Sequence, residues 1–194
     1  MKRVGRIKRI TKETDIEMEL LLDGSGNLTG KTGVPFFDHM LQLWTYHSGF
    51  DLKINVEGDL EVDGHHTVED VGICMGQCFK DALGDKLGIN RYGLAVTPMD
   101  EALVMSVVDL SGRSYLSYEV TCCTSRVGSF DVELVEEFLR AFCSNSGTTL
   151  HIKMLAGKNT HHILEAVFKS FARALKEAAL VAGNGIPSTK GFLE

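Results

Sequence analysis

Two segments of the chain carry the same pattern of donor side chains. GHHTVED at 64–70 and THHILEA at 160–166 each hold two adjacent histidines and a glutamate three residues after the second. At a helix start, residues four apart share a face. His65 with Glu69, and His161 with Glu165, are therefore placed to grip one cation. The second histidine of each pair, His66 or His162, lies about 100° further round the helix and would serve a different cation, or one shared with another copy. Imidazole and carboxylate together suit Mn, Fe, Zn or Ni. One such motif is weak evidence, because a histidine more often makes an ordinary hydrogen bond. Six polar residues repeated in step are strong evidence for metal.

Further donors follow from the same comparison. His39, in FFDHML, precedes the first motif, and the equivalent place in the second half holds Glu137, in VEEFL. His151 competes with Glu137 for this role, but its own counterpart is Lys53, which is no ligand of this kind. His47 either hydrogen-bonds at a helix end or contacts substrate. A second chemistry is written in NRYG, DLSGR and IPSTKG, which supply Arg91, Arg113, Ser188, Thr189 and Lys190. Guanidinium forks, an ammonium and hydroxyls are what a phosphate group needs.

The elements that position these residues come in duplicate. At an offset of 96, the two histidine motifs and their following helices coincide: Val71 falls on Val167, Lys80 on Lys176 and Ala82 on Ala178. Upstream, an offset of 98 matches Gly49 with Gly147 and Leu52 with Leu150, and an offset of 86 matches DGSG at 23–26 with DLSG at 109–112. The pattern predicts duplication of one unit of about 95 residues. The strand signals are DIEMELLLDGSG, FDLKINVEGD, EALVMSVVDLSG and TTLHIKMLAG. Helical spacing marks VPFFDHMLQLWTYH, DVELVEEFLRAFC and the segments after each histidine pair. The expected fold is α+β, two tandem half-domains at 1–92 and 93–194 within one compact unit, each a mixed β-sheet packed against helices.

Bulk properties exclude other classes. The net charge of −6 argues against a general nucleic-acid binder, though not against a small anion held by local cations. No run of about 18 apolar residues is present, so no membrane helix is expected. The start, MKRVGRIKRIT, lacks the apolar core of a secretory signal. The odd count of five cysteines, with no CxxC pair, reads as buried reduced thiols in a cytoplasmic protein.

FFDHML, GDLEVDGHHTVEDVG, RYG, PMDEAL, DLSGR, HHILEAVFKSFARAL and PSTKG resemble, in this order and across nearly the whole chain, the imidazoleglycerol-phosphate dehydratase family. The resemblance implies a lyase of histidine biosynthesis that dehydrates D-erythro-imidazole-glycerol phosphate to imidazole-acetol phosphate. It implies two Mn ions per active site and passage through an imidazolate and a diazafulvene-like intermediate. It also implies a large homo-oligomer, trimers building a 24-subunit shell with sites at subunit contacts. The implied metal ligands are His39, His65, His66, Glu69, His161, His162 and Glu165, with Glu137 at a position that is histidine in some relatives. The implied phosphate ligands are Arg91, Arg113, Ser188 and Lys190. Glu13, in TKET, matches a glutamate in substrate contact and is the candidate for proton transfer, with Asp100 and Glu101 as alternatives that shape the site. QLWTYH after HML departs from the polar pair expected there. Two other functions remain open on the residues alone: a metal-dependent phosphate hydrolase, and a metal-cemented assembly without catalysis.

Overall fold

The strands form where apolar residues alternate, and each then buries that face on helices. A computed structural model describes residues 2–193. In the first half, β1 (Val4–Ile10), β2 (Thr14–Leu21), β3 (Leu28–Thr29) and β4 (Asp51–Gly58) form a sheet in the order β1-β2-β4-β3. Helix α1 (Pro35–Ser48) precedes β4, and α2 (His65–Leu83) follows it. The second half repeats this with β5 (Tyr92–Met99), β6 (Ala102–Asp109), β7 (Tyr115–Glu119), α3 (Leu134–Ser146), β10 (Thr149–Ala156) and α4 (Thr160–Ala179), in the sheet order β5-β6-β10-β7. Both sheets are mixed: β3 runs parallel to β4, and β7 parallel to β10, while the other pairings are antiparallel. The fold is thus α+β, made of two tandem half-domains.

Strand register corrects one offset. Val4 pairs with Leu21, and Tyr92 pairs with Asp109, so the first hairpins of the two halves correspond at 88 rather than 86. A slip of two residues keeps every side chain on its own face of the sheet, so the hydrophobic pattern does not distinguish the two alignments. A shared contact supports 88. A Cβ on Gly5 would lie 2.0 Å from the carbonyl oxygen of Cys78, and one on Gly93 would lie 2.0 Å from that of Ala174. The same strand–helix approach is made twice, and it admits only glycine. Beyond β7, the longer counterpart of β3, the second half carries an insertion with a small hairpin, β8 (Arg126–Val127) with β9 (Phe130–Asp131).

The helices pack across the halves. His39 of α1 meets Glu165 of α4, and Gly49, just past α1, approaches Lys176 near the end of α4. Those two helices therefore run parallel. Gly72 and Gly76 of α2 lie against Phe138 and Phe142 of α3 in the same way. Gly64, at the start of α2, is close to both Val34 and Leu134. All four helix N-termini therefore converge at one end of the molecule. Trp44, Phe37, Phe79, Phe138, Phe142, Phe168 and Phe171 are fully buried in this layer. Cys74, Cys78 and Cys143 are buried too, and burial pushes each thiol up to about 12. Cys122 is half-buried and Cys123 exposed, contrary to the expectation of buried thiols, because the insertion that carries them lies outside the core.

Gly72 lets α2 and α3 touch. A Cβ there would lie 2.7 Å from the Phe138 carbonyl oxygen and 2.9 Å from Ala141 Cβ. Alanine in a helix interior ordinarily gains about 1 kcal/mol over glycine. Overpacking of rigid neighbours costs about 1–3 kcal/mol and decides the sign here. Gly72→Ala is expected to lower the thermal midpoint by several degrees; a raised midpoint in calorimetry would contradict this packing.

Candidate active site

The converging helix ends gather the donors. Asn159 caps α4, its side chain accepting from the backbone N–H groups of His161 (2.9 Å) and His162 (3.4 Å). Asp63, at the equivalent place, accepts from the N–H of His65 at 2.7 Å. Asn159 is the cap residue of α4, whereas Asp63 holds the first N–H of α2 from one residue before its cap, Gly64, so both helices start just before their histidine pairs.

His39 Nε2 lies 3.0 Å from Glu165 Oε1, and His161 Nε2 lies 3.2 Å from the same oxygen. One ligand atom from each of these three residues falls within 4.8 Å of the others. Two imidazole nitrogens and a carboxylate, with no thiolate, fit a divalent first-row cation such as Mn. The cluster spans the two halves, with α1 supplying one donor and α4 two. Phe36 closes one side, its ring 5.2 Å from that of His161. Glu165 is buried, and Lys169 Nζ approaches its Oε2 at 2.6 Å. Burial pushes this carboxyl up, but Lys169, His39 and His161 outweigh it and hold it at about 2. It therefore stays anionic at the positive ends of the helices, where an unaccompanied cation would be disfavoured.

The other expected ligands are not drawn into this group. Among the described residues, no second cluster of three forms. His65, Glu69 and Glu137 occupy the places that correspond to His161, Glu165 and His39. His66 and His162 point away to partners of their own. His66 Nδ1 lies 2.9 Å from Asp59 Oδ2, and His162 Nδ1 lies 2.8 Å from Glu101 Oε2. These carboxylates raise both imidazole pKa values above the ordinary one, Asp59 and Glu101 being the leading causes. A protonated imidazole has no lone pair for a metal. Metal uptake is therefore expected to fade as pH drops through these raised values, at a higher pH than for a free imidazole of pKa about 6.5. Titrating Mn(II) by electron paramagnetic resonance between pH 8 and 6 checks this; uptake independent of pH would oppose it.

Glu13 stands in the β1–β2 turn, with Oε1 3.7 Å from His66 Nε2, at this same end of the molecule. His151 lies in β10 against the Tyr115 ring, outside the cluster. His47 is in the last turn of α1, where burial lowers its pKa, aided by Lys169 and Arg173. It faces that cationic row of α4.

The opposite end of the molecule holds the cations. Arg91, Arg113, Ser188, Thr189 and Lys190 line one open cleft of about 420 Å³. Arg91, at φ 71°, donates to Asp109 at 2.7 Å and to the Pro187 carbonyl at 3.0 Å, which ties the C-terminal segment to the cleft. Arg113 remains 56% exposed. The N–H of Arg91 donates to the Ala178 carbonyl in the last turn of α4, whereas His161 is in the first. At 1.5 Å per residue, cleft and cluster are roughly 26 Å apart.

Lys169 and Asp59 escaped the reading of the sequence. Lys169 had a signal, since it follows Glu165 by four residues on the same helix face. Asp59 had none, because it reaches His66 from the end of a strand.

A duplicated α+β chain with a histidine–carboxylate cluster at one end and a cationic cleft at the other belongs to the class of enzymes acting on small molecules. Comparison with known proteins makes the class specific. The family model for imidazoleglycerol-phosphate dehydratase matches residues 32–175. The imidazoleglycerol-phosphate dehydratase of Pelotomaculum thermopropionicum is 57% identical over 192 residues, covering 98% of each chain. That of Moorella thermoacetica is 55% identical over 195 residues, covering both chains fully. The crystal structure of the Staphylococcus aureus enzyme superimposes with a TM-score of 0.83 at 41% identity, covering 93% of this chain and 99% of that one. A structure of IGPD from Pyrococcus furiosus in complex with (S)-C348 gives 0.83 at 36% identity, covering 96% and 100%. The chain belongs to the imidazoleglycerol-phosphate dehydratase family, enzymes of histidine biosynthesis.

Proposed function

We propose that this chain dehydrates D-erythro-imidazole-glycerol phosphate to imidazole-acetol phosphate with two Mn ions per site, each site being shared between copies of the chain. The observation that carries the sharing is the separation of cluster and cleft. The substrate spans on the order of 8 Å by its covalent bond lengths. The cluster and the cleft of one chain are about three times too far apart to hold the same molecule. A second copy must bring its cleft to the first copy's cluster.

A difference between the sheets supports this association. On the outer face of the first sheet, Arg6 pairs with Glu19 and Lys8 with Glu17. The corresponding pairs on the second sheet are Leu94 with Val107 and Val96 with Met105. Leu94 is 56% exposed and Val96 48% in the single chain. Charged pairs suit water, whereas a contiguous apolar face calls for cover by another copy. The proposed assembly is the large homo-oligomer of the family, trimers forming a 24-subunit shell. The proposed location is the cytoplasm; no described helix is long and apolar enough to cross a membrane.

The residues divide the work. His39, His161 and Glu165 would hold one ion, and His65, Glu69 and Glu137, with His66 and His162, would complete the sites together with a neighbouring copy. Mn, when bound, would favour loss of the N–H proton from the substrate's imidazole, so that the electron-rich ring would help expel the neighbouring hydroxyl. Arg113, Lys190 and the hydroxyls of Ser188 and Thr189 would hold the phosphate, with Arg91 anchoring the cleft. Glu13, exposed beside His66 Nε2, would take the proton from the carbon next to the ring-bearing one. His47, at the end of α1 and facing the cationic row of α4, would contact substrate.

The test is an assay of purified protein with imidazole-glycerol phosphate, with and without Mn. Metal-dependent formation of an enolisable ketone with phosphate retained is expected. Release of inorganic phosphate would instead indicate a hydrolase, and absence of turnover with metal bound would indicate a structural role.

A further inference from the structure

The duplication places two versions of one corner in a single molecule. At the hairpin offset of 88, Glu13 corresponds to Glu101, and at the helix offset of 96, His66 corresponds to His162. A bulge in β10 between Met154 and Ala156 moves the strand end by one residue, so that Gly58 corresponds to Gly157. Their contacts agree: a Cβ on Gly58 would strike Thr67, and one on Gly157 would strike Ile163, itself the counterpart of Thr67. The next residues, Asp59 and Lys158, are therefore equivalent. Their backbone N–H groups reach corresponding residues by different oxygens, that of Asp59 donating to the Glu13 carbonyl and that of Lys158 to the Glu101 side-chain Oε1.

The side chains do not behave alike. In the second half, Glu101 Oε1 accepts from the N–H groups of Lys158 (3.2 Å) and Asn159 (2.7 Å), and Oε2 meets His162 Nδ1 at 2.8 Å. In the first half, Asp59 meets His66 Nδ1 at 2.9 Å, and Glu13 stands by the opposite nitrogen. Lys158 has no acceptor to offer a ring N–H, so only Glu101 can take that role.

We infer that Asp59 and Glu101 are positioning residues that do one job from non-equivalent places: each accepts the Nδ1 proton of its histidine and leaves the Nε2 lone pair outward for a metal. Because Asp59 does this in the first half, Glu13 is left uncommitted, whereas its counterpart Glu101 is fully engaged. Carboxylates behind metal-binding imidazoles typically change metal affinity 10–100-fold. The inference rests on the proposed metal sites for its purpose, and on the geometry alone for the ring tautomer.

The decisive variant is Glu101→Gln in the full-length assembled protein. One amide oxygen replaces two carboxylate oxygens. If that oxygen keeps the N–H groups of Lys158 and Asn159, the amide nitrogen faces His162 Nδ1 and donates to it. The ring proton then sits on Nε2. Nitrogen-15 spectra of metal-free protein labelled at histidine should show this tautomer change at His162. Mn(II) affinity, read by electron paramagnetic resonance at fixed pH, should fall about 10–100-fold. Asp59 Oδ1 has no other partner, so an amide there could turn its oxygen to Nδ1; Asp59→Leu removes the acceptor altogether and should release the fixed tautomer at His66 and lower Mn(II) affinity. Glu101→Ala combined with Lys158→Asp moves the first half's arrangement into the second and should restore the Nδ1–H tautomer and most of the affinity. Unchanged tautomers in both single variants, or failure of Lys158→Asp to restore His162, would overturn the inference. Tautomers that change as expected in a protein that binds no Mn would uphold the positioning role and overturn the metal reading instead.

Discussion

Replacing Glu165 with alanine should remove metal-dependent turnover by about 10³-fold or more, a loss of roughly 4 kcal/mol of transition-state stabilisation. One of its oxygens is shared by His39 Nε2 and His161 Nε2, and the other is held by Lys169. No other carboxylate belongs to this group among the described residues. Without it, two imidazoles and a half-buried ammonium face one another at the positive ends of four helices, where a divalent cation is least welcome. The variant should bind fewer Mn ions per chain, measured by elemental analysis after gel filtration. Glu165→Gln keeps the shape but not the charge and should show nearly the same loss. Full activity with full metal content in either variant would place the working metals elsewhere.

The sequence made this cluster legible only in part. The i, i+4 spacing of His161 and Glu165 places them together wherever the helix goes. His39 joins them because α1 lies parallel to α4, a tertiary contact that no local spacing encodes. Its position was legible through the duplication, which sets His39 opposite Glu137. The same duplication exposed the α+β halves, because strand and helix periods recur in order. It failed where the copies differ. The stretch from Tyr115 to Asp131 has a two-residue strand as its only counterpart in the first half, and its partner, β10, lies far along the chain. The 86-for-88 offset failed for a different reason: a two-residue slip is invisible to a period of two. Asp59 and Glu101 show the deeper limit. Corresponding backbones guarantee corresponding places, but a hydrogen bond to Nδ1 can be supplied from either of two neighbouring places.

Mixing two inactive variants should restore activity. His161→Ala breaks the cluster, and Arg113→Ala breaks the cleft. Each protein assembled alone should turn over substrate at a small fraction of the wild-type rate. If one chain's cluster works with another chain's cleft, a mixed assembly contains sites in which neither part is altered. With equal amounts of the two chains, half of the clusters and half of the clefts are intact, and independent pairing leaves about a quarter of the sites whole. Co-expression with two different affinity tags, followed by purification on both, isolates such assemblies. Their specific activity should approach that quarter and far exceed either parent. The roughly 26 Å between the first and last turns of α4 makes the opposite result informative. If each chain housed a whole site, every site in the mixture would carry one lesion and activity would stay at the parental level. The distance between two ends of one helix thus becomes a statement about how many chains build each site, and recovery of activity measures it directly.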